Sequence, residues 1–351
     1  MYINKRVRAG QGLFWLCLAL LWLGACQHED GAELDDYAFR QPTNFPEPTY
    51  TFDNNPTTKA GFELGRTLFF DPILSVDNTI SCGSCHIQSL AFADVPLHPV
   101  SIGVHGRAGI RNAPGLANMA FLPEFFWDGG VTHLDFVPLN AVEAVFEMDE
   151  TIENVIQKLN AHTEYPQRFR EAFGVESVTT PFFLHALSQF MNRMISDQSK
   201  YDQYLAGEAQ LTGEEAKGMA LFEEKCATCH SGILFTDHSY RNNGISTDFP
   251  DLGRALITSF DGDIGKFKVP SLRNVGVTPP YMHNAKFDSL EEVLAHYASG
   301  VQESPSLDAS LKQNEQLGIA MTEEEQAAIV AFLETLTDYE FLSDPLFRRS
   351  N

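Results

Sequence analysis

Apolar residues return at helical spacing in a series of separated stretches, and alternating strand patterns are sparse. From Lys59 the run Phe62, Leu64, Leu68 and Phe69 predicts a helix stopped by Asp71-Pro72. Ile152 to Lys158, Thr163 to Phe173 and Pro181 to Ile195 carry the same spacing. Thr212-Gly213-Glu214-Glu215 has the form of a capping box and opens a helix that runs through Leu221 and Phe222 to Cys226. Two more helical segments, Ser289 to Ala298 and Thr322 to Leu336, follow, the second led in by acidic residues that suit a helix N-terminus. Between them Ser231 to Arg273, rich in Gly, Asp and Asn, reads as loops. The pattern repeats: Gly65-Arg66-Thr67-Leu68-Phe69-Phe70 parallels Gly218-Met219-Ala220-Leu221-Phe222, with a longer insertion after the first copy. A mostly α fold in two similar halves is expected.

The N-terminus changes where the chain is placed. Lys5, Arg6 and Arg8 precede an apolar run from Leu13 to Leu23, too short for a bilayer span of about 20 residues, and Leu23-Gly24-Ala25-Cys26 resembles a bacterial lipobox. Residues 1–25 are therefore expected to be a lipoprotein signal peptide, with Cys26 lipidated. Ordinary signal cleavage that leaves a free Cys26 thiol is the alternative. Residues 26–57, polar and with Pro42, Pro46, Pro48 and Pro56, read as a flexible tether; 58–205 and 206–345 form the two domains. The expected location is the periplasm, lipid-anchored to the outer membrane of a Gram-negative bacterium, with no other contact with the membrane. A net charge of −23 argues against nucleic acid as a partner and favours a basic one at low salt.

The six cysteines carry the chemistry. Cys82-Gly83-Ser84-Cys85-His86 and Cys226-Ala227-Thr228-Cys229-His230 are both Cys-x-x-Cys-His, the pattern in which two thiols form thioethers with porphyrin vinyl groups and the histidine ligates iron. Two covalently bound c-type haems follow. Zinc also binds paired Cys-x-x-Cys units, but the histidine abutting each second cysteine and the wide separation of the two motifs favour haem. Cys17 leaves with the signal and Cys26 takes the lipid, so no thiol remains for a disulfide.

What sits on the second face of each iron separates an electron carrier from a catalyst. For the second haem Met282, His283, His296 and Tyr297 are available; for the first, His98, His105, Met119 and Met148. These alternatives stay open on the residues alone.

Roughly residues 58 to 342 resemble the bacterial di-haem cytochrome c peroxidases and their relative MauG. The resemblance rests on Gly65-Arg66-Thr67-Leu68-Phe69-Phe70-Asp71-Pro72, the two haem motifs, Ser101-Ile102-Gly103, Arg111-Asn112-Ala113-Pro114 and Phe126-Trp127-Asp128-Gly129. It continues through Lys268-Val269-Pro270-Ser271-Leu272-Arg273-Asn274-Val275, Pro280-Tyr281-Met282-His283-Asn284 and Ser289-Leu290-Glu291-Glu292. It implies two cytochrome c-like domains, with a peroxidatic haem on His86 and an electron-transfer haem on His230. Many members place a distal histidine directly after Ser-Ile-Gly. Here that position is Val104, with His105 one residue later, which implies an open or water-ligated first haem. Where many members ligate the second haem with Met, this chain has Tyr297, as MauG has Tyr; His296 competes, although neighbouring helix residues point about 100° apart.

The resemblance also assigns Glu147 as the distal acid and base that moves a proton between the peroxide oxygens, and Trp127 as an electron relay between the haems. Asn112, Thr278 and Pro280 match positions that hold Ca²⁺ between the domains through an amide and main-chain carbonyls. The implied activity is reduction of hydrogen peroxide to water with electrons from an external donor protein such as a small cytochrome or cupredoxin. A MauG-like oxidase of a protein substrate and a non-enzymatic di-haem electron carrier are the alternatives.

Overall fold

Thr58 accepts a hydrogen bond from the Gly61 N–H and starts the first helix, α1 (Lys59–Phe69), where the apolar spacing predicts one. The computed structural model describes residues 37–94, 100–313 and 316–349. Helices dominate it: α2 (Cys82–Cys85), α3 (Val137–Glu143), α4 (Ile152–Ala161), α5 (Tyr165–Phe173), α6 (Thr180–Asn192), α7 (Lys200–Leu205), α8 (Gly213–Lys225), α9 (Ala255–Thr258), α10 (Leu290–Ala295), α11 (Glu323–Glu334) and α12 (Tyr339–Ser343). The capping box expected at Thr212 forms, with Glu215 as its partner. Strand is confined to short pairs, among them β1 (Tyr240–Arg241) antiparallel to β2 (Phe267–Lys268), within the segment read as loops. Among the described residues no helix is long and apolar enough to cross a membrane.

The two-copy plan is physical. A Cβ on Gly65 would lie 1.9 Å from the Ala186 carbonyl oxygen, and one on Gly218 would lie 1.8 Å from that of Ala328. Glycine thus lets α1 lie against α6, and α8 against α11, at backbone distance. The ring of Phe69 then meets Phe190 at 5.1 Å between centroids, and that of Phe222 meets Phe332 at 5.3 Å. Phe62, Phe69 and Phe190 are fully buried in the first core, each stabilising by about 1.5–3 kcal/mol. A smaller second core gathers Phe222, Phe235, Leu294, Ile329 and Phe332.

The expected boundaries change in three places. Residues 37–57 are not a free tether: Phe45 and Tyr50 are buried in the first core, and Asn55 bridges the Tyr50 hydroxyl and Gln189. Isolated aromatics in a Pro-containing stretch bury without any periodicity, so the pattern did not reveal them. Tyr201 of α7 packs against the second core, ahead of the boundary at 205/206. Phe341 and Phe347 return to the first core, so the C-terminal end straps the N-terminal half. The signal peptide, Cys26 and His98 lie outside the described residues.

Candidate haem sites

In each half the aromatic cluster backs onto a Cys-x-x-Cys-His turn. His86 Nδ1 faces the Phe92 carbonyl oxygen, and His230 Nδ1 faces that of Phe235 at 3.1 Å. A carbonyl at Nδ1 fixes the ring and leaves Nε2 for a metal. Burial holds both imidazoles below their ordinary pKa, and therefore neutral. Cys82, Cys85, Cys226 and Cys229 are free thiols. All four, with both histidines, line one continuous cavity of about 1020 Å³.

The lining fits haem in more than its thiols. Phe69, Met119 and Leu187 on one side, and Leu272, Leu294 and Leu333 on the other, give the cavity apolar walls. On the same lining His238 Nδ1 is buried without a hydrogen-bond partner among the described residues. Among the described residues Lys268 Nζ donates to the Glu124 main-chain oxygen alone, at 2.7 Å, and burial pulls its pKa down to about 8. Both would suit porphyrin carboxylates.

The Ser101-Ile102-Gly103 segment lies across the loop that carries Glu147. The Val104 N–H donates to the Glu147 carbonyl at 2.8 Å, and a Cβ on Gly103 would sit 2.6 Å from Glu147 Cα, so only glycine permits the contact. Glu147 lines the cavity beside Cys82 and Cys85, whose thiol pKa values its charge helps to raise. Among the described residues its carboxyl has no hydrogen bond or ion pair, and desolvation alone pushes its pKa up to about 7. Neighbouring acids differ: Asp149 pairs with Arg107, and Glu150 with Lys158. Val104 is fully buried and does not line the cavity; His105, in left-handed backbone, turns its Nδ1 to Asp77 at 3.5 Å. Met119 and Met148 line the cavity as well as the core.

On the other side, α10 runs into a π-helical turn, His296–Gly300. That turn presents Tyr297 to the cavity, where burial raises its phenol to about 12 and an Asn243 hydrogen bond opposes the rise. His296 Nε2 is instead 3.0 Å from the Asn243 carbonyl, and its ring packs on Phe287. Met282 reaches the cavity, but its sulfur accepts from the Asn243 amide at 3.2 Å. His283 is held against Phe267, ring on ring at 3.6 Å, and burial lowers its pKa to about 4. Asn243 therefore organises three of the four sequence candidates, a role that no local motif signals.

Trp127 stands where the halves meet. Its indole N–H donates to the Asn112 carbonyl at 2.8 Å, its ring meets His283 edge-on, and its carbonyl accepts from the Lys268 N–H at 2.8 Å. Arg111 braces this region from Asp128 to Asp251, with 2.6 Å contacts to each. The Asn112 amide also meets the Pro280 carbonyl oxygen, and Asn112, Thr278 and Pro280 share the cavity wall. The amide N–H donates here; a cation at this point would need the amide turned over so that its oxygen faces the carbonyl. Among the described residues no group of three or more His, Cys, Asp or Glu side chains could hold a metal ion.

Residues 59–210 match the family model of the di-haem cytochrome c peroxidases, and residues 215–337 that of cytochrome c. The chain is 36% identical over 304 residues to the methylamine utilization protein MauG of Methylorubrum extorquens, covering 85% of this chain and 83% of that one. It is 33% identical to the cytochrome c peroxidase Ccp of Escherichia coli, covering 91% of this chain and 69% of the relative. Among solved structures, a MauG-like protein associated with microbial copper homeostasis superposes with a TM-score of 0.80 at 32% identity, over 89% of this chain and 98% of that one. The diheme peroxidase BthA of Burkholderia thailandensis, at 23% identity and a TM-score of 0.70 over 84% of this chain and 90% of that one, shares the fold.

Proposed function

The chain belongs to the di-haem cytochrome c peroxidase family, and from that premise we propose that it reduces hydrogen peroxide to water with two electrons from an external donor protein. Electrons enter at the half built on His230 and are used at the half built on His86. The observation that carries this reading is Glu147, a half-buried carboxyl without a partner among the described residues, on the wall shared with Cys82, Cys85 and His86.

Bound c-type haem supplies the redox-active iron at which peroxide is cleaved. Everything else falls to this chain's side chains. Glu147, with a pKa near neutrality, is available as a base to take the proton from the near peroxide oxygen and as an acid to return it to the far one. The apolar wall keeps that proton from exchanging with bulk water. Val104 and His105 offer no ligand to this lobe, which leaves room for peroxide. Trp127, fixed between Asn112 and Lys268, is the relay between the halves. Tyr297 is proposed as the oxygen ligand at the second haem, with the Asn243 hydrogen bond favouring its phenolate.

Asn112, Thr278 and Pro280 are proposed to hold Ca²⁺ through oxygen donors at the junction. The N-terminal signal and Cys26 support a periplasmic, lipid-anchored protein. A second reading, a MauG-like oxidase that draws electrons from a protein substrate, is favoured by Tyr297 facing the second lobe.

Optical and EPR spectra of the di-haem holoprotein, before and after one equivalent of H₂O₂, test the proposal. A high-spin or water-ligated first haem that reacts with peroxide, and fails to react in Glu147→Gln with haem content intact, is expected. Two low-spin haems inert to peroxide would instead make the protein an electron carrier. Persistence of the oxidised state until a protein substrate is added, rather than a cytochrome, would select the MauG-like reading.

A further inference from the structure

On the side of the Trp127 turn that faces away from the cavity lies a tyrosine with no part in the chemistry above. Tyr240 of β1 donates its hydroxyl to the Glu124 carboxylate. Arg254 lies over its ring at 4.0 Å from guanidinium carbon to centroid, reaches the other Glu124 oxygen at 3.3 Å, and donates to the Asp128 carbonyl at 2.9 Å. The phenol packs directly on the turn: a Cβ on Gly129 would fall 1.8 Å from the Tyr240 hydroxyl oxygen. The main chain is equally close. Tyr240 pairs with Lys268, whose N–H is bonded to the Trp127 carbonyl. Two such interstrand steps put the Trp127 and Tyr240 backbones roughly 10 Å apart.

We propose that Tyr240 and Glu124 form a proton-coupled redox station through which oxidising equivalents pass between Trp127 and the protein surface. The proposal rests on the peroxidase reading for the source of those equivalents. An oxidised Trp127 takes one electron from Tyr240, and the phenolic proton moves along the existing hydrogen bond to Glu124. The products are a reduced Trp127, a neutral tyrosyl radical and a protonated Glu124. An external one-electron donor then reduces the radical, and the proton returns from Glu124 to the phenolate oxygen.

The surroundings fit that role. Arg254 above the ring disfavours a positive charge on it, so the electron cannot leave unless the proton leaves too. The same guanidinium holds Glu124 in place beside the hydroxyl, so the carboxyl that takes the proton stays positioned to return it when the phenolate re-forms. Burial and the carboxylate also raise the phenol's pKa, so Tyr240 rests as the neutral phenol. Tyr50 and Tyr165 also donate to carboxylates, those of Asp135 and Asp71. Tyr165 lies on α5 and Tyr50 in the N-terminal segment, so neither is built onto the Trp127 turn.

The test is freeze-quench EPR of the holoprotein after one equivalent of H₂O₂, with ring-deuterated tyrosine as the label. A radical that narrows with labelled tyrosine, disappears in Tyr240→Phe and in Glu124→Gln, and persists in Tyr165→Phe is expected. Its decay should slow in D₂O, and that isotope effect should be lost in Tyr240→Phe. Flash photo-oxidation with tris(bipyridine)ruthenium and persulfate supplies the oxidising equivalent without peroxide. If peroxide leaves the haems unchanged but photo-oxidation still gives the Tyr240-dependent signal, the peroxidase reading falls and the redox station stands. If neither route gives a tyrosyl signal that depends on Tyr240, the station is overturned.

Discussion

In the N-terminal half Gly65 lets α1 lie on α6, and Phe69, Phe190 and Phe92 close behind His86; in the C-terminal half Gly218, Phe222, Phe332 and Phe235 do the same behind His230. The cradles are copies down to the carbonyl that holds each imidazole. In the polar side chain that lines each lobe they diverge. The first lobe meets an unpaired carboxyl, Glu147, on a loop pinned by Gly103; the second meets a phenol, Tyr297, on a π-helical turn. The scaffold that would hold haem is built twice, whereas the polar side chain facing each lobe differs, Glu147 in the first and Tyr297 in the second.

The sharpest way to break that contrast is to neutralise one wall at a time. Glu147→Gln is expected to lower peroxide turnover by about 10²–10⁴-fold while leaving the spectrum of the second haem unchanged. Tyr297→Phe should do the reverse, changing the second haem's spectrum and potential while the first still reacts with peroxide. Stopped-flow spectroscopy of both variants measures this, and equal loss in both would mean that the lobes do not divide the labour.

The shared scaffold can be challenged symmetrically. Gly65→Ala and Gly218→Ala each drive a methyl group into a backbone carbonyl, so each should destabilise by roughly 3 kcal/mol, the upper end for overpacking. Thermal melts followed at each haem's absorption should show Gly65→Ala acting first on the His86 half and Gly218→Ala on the His230 half. A single common transition would instead make the two cores one cooperative unit, as the C-terminal strap of Phe341 and Phe347 would favour.

Much of this scaffold was legible and the contrast only partly so, for identifiable reasons. Helices with regular apolar spacing and capping residues, such as α1 and α8, carry their signal locally. The burial of Phe45 and Tyr50 does not, because a coil packs without a period. The haem-binding residues announce themselves by spacing. Tyr297 could be separated from His296 only by the resemblance, and the structure adds the π-helical turn that faces one to the cavity and turns the other to Asn243. Asn243, Tyr240 and Lys268 gain their places from contacts between segments distant in the chain, which no local pattern encodes.

Glu147 also makes a prediction about stability. Its pKa in the folded chain, about 7, lies above the ordinary 4.5, so the fold favours the protonated form. Its relative contribution is therefore greatest below pH 4.5 and declines as pH rises towards 7, beyond which a constant penalty remains. Glu147→Gln removes the penalty. The variant should match the wild type below pH 4.5 and exceed it by roughly 3 kcal/mol above pH 7, measured by denaturant unfolding across that range. A gain that is flat with pH would mean that Glu147 is solvated or paired in the folded protein.

The smallest expected effect concerns the junction between the two halves, and here the sign decides. If Asn112 simply donates its amide N–H to the Pro280 carbonyl, Asn112→Asp sets a carboxylate against a carbonyl oxygen and should destabilise by about 1–3 kcal/mol, whether or not calcium is present. If the amide oxygen and the carbonyls of Thr278 and Pro280 instead surround Ca²⁺, the same substitution adds a charged oxygen ligand. Stability would then hold or rise with calcium and fall on adding EGTA, and chelation in the wild type would slow electron transfer between the haems without releasing them. Melting of both proteins with calcium and with EGTA separates the two cases, because only a bound cation makes an acidic side chain welcome beside two carbonyl oxygens.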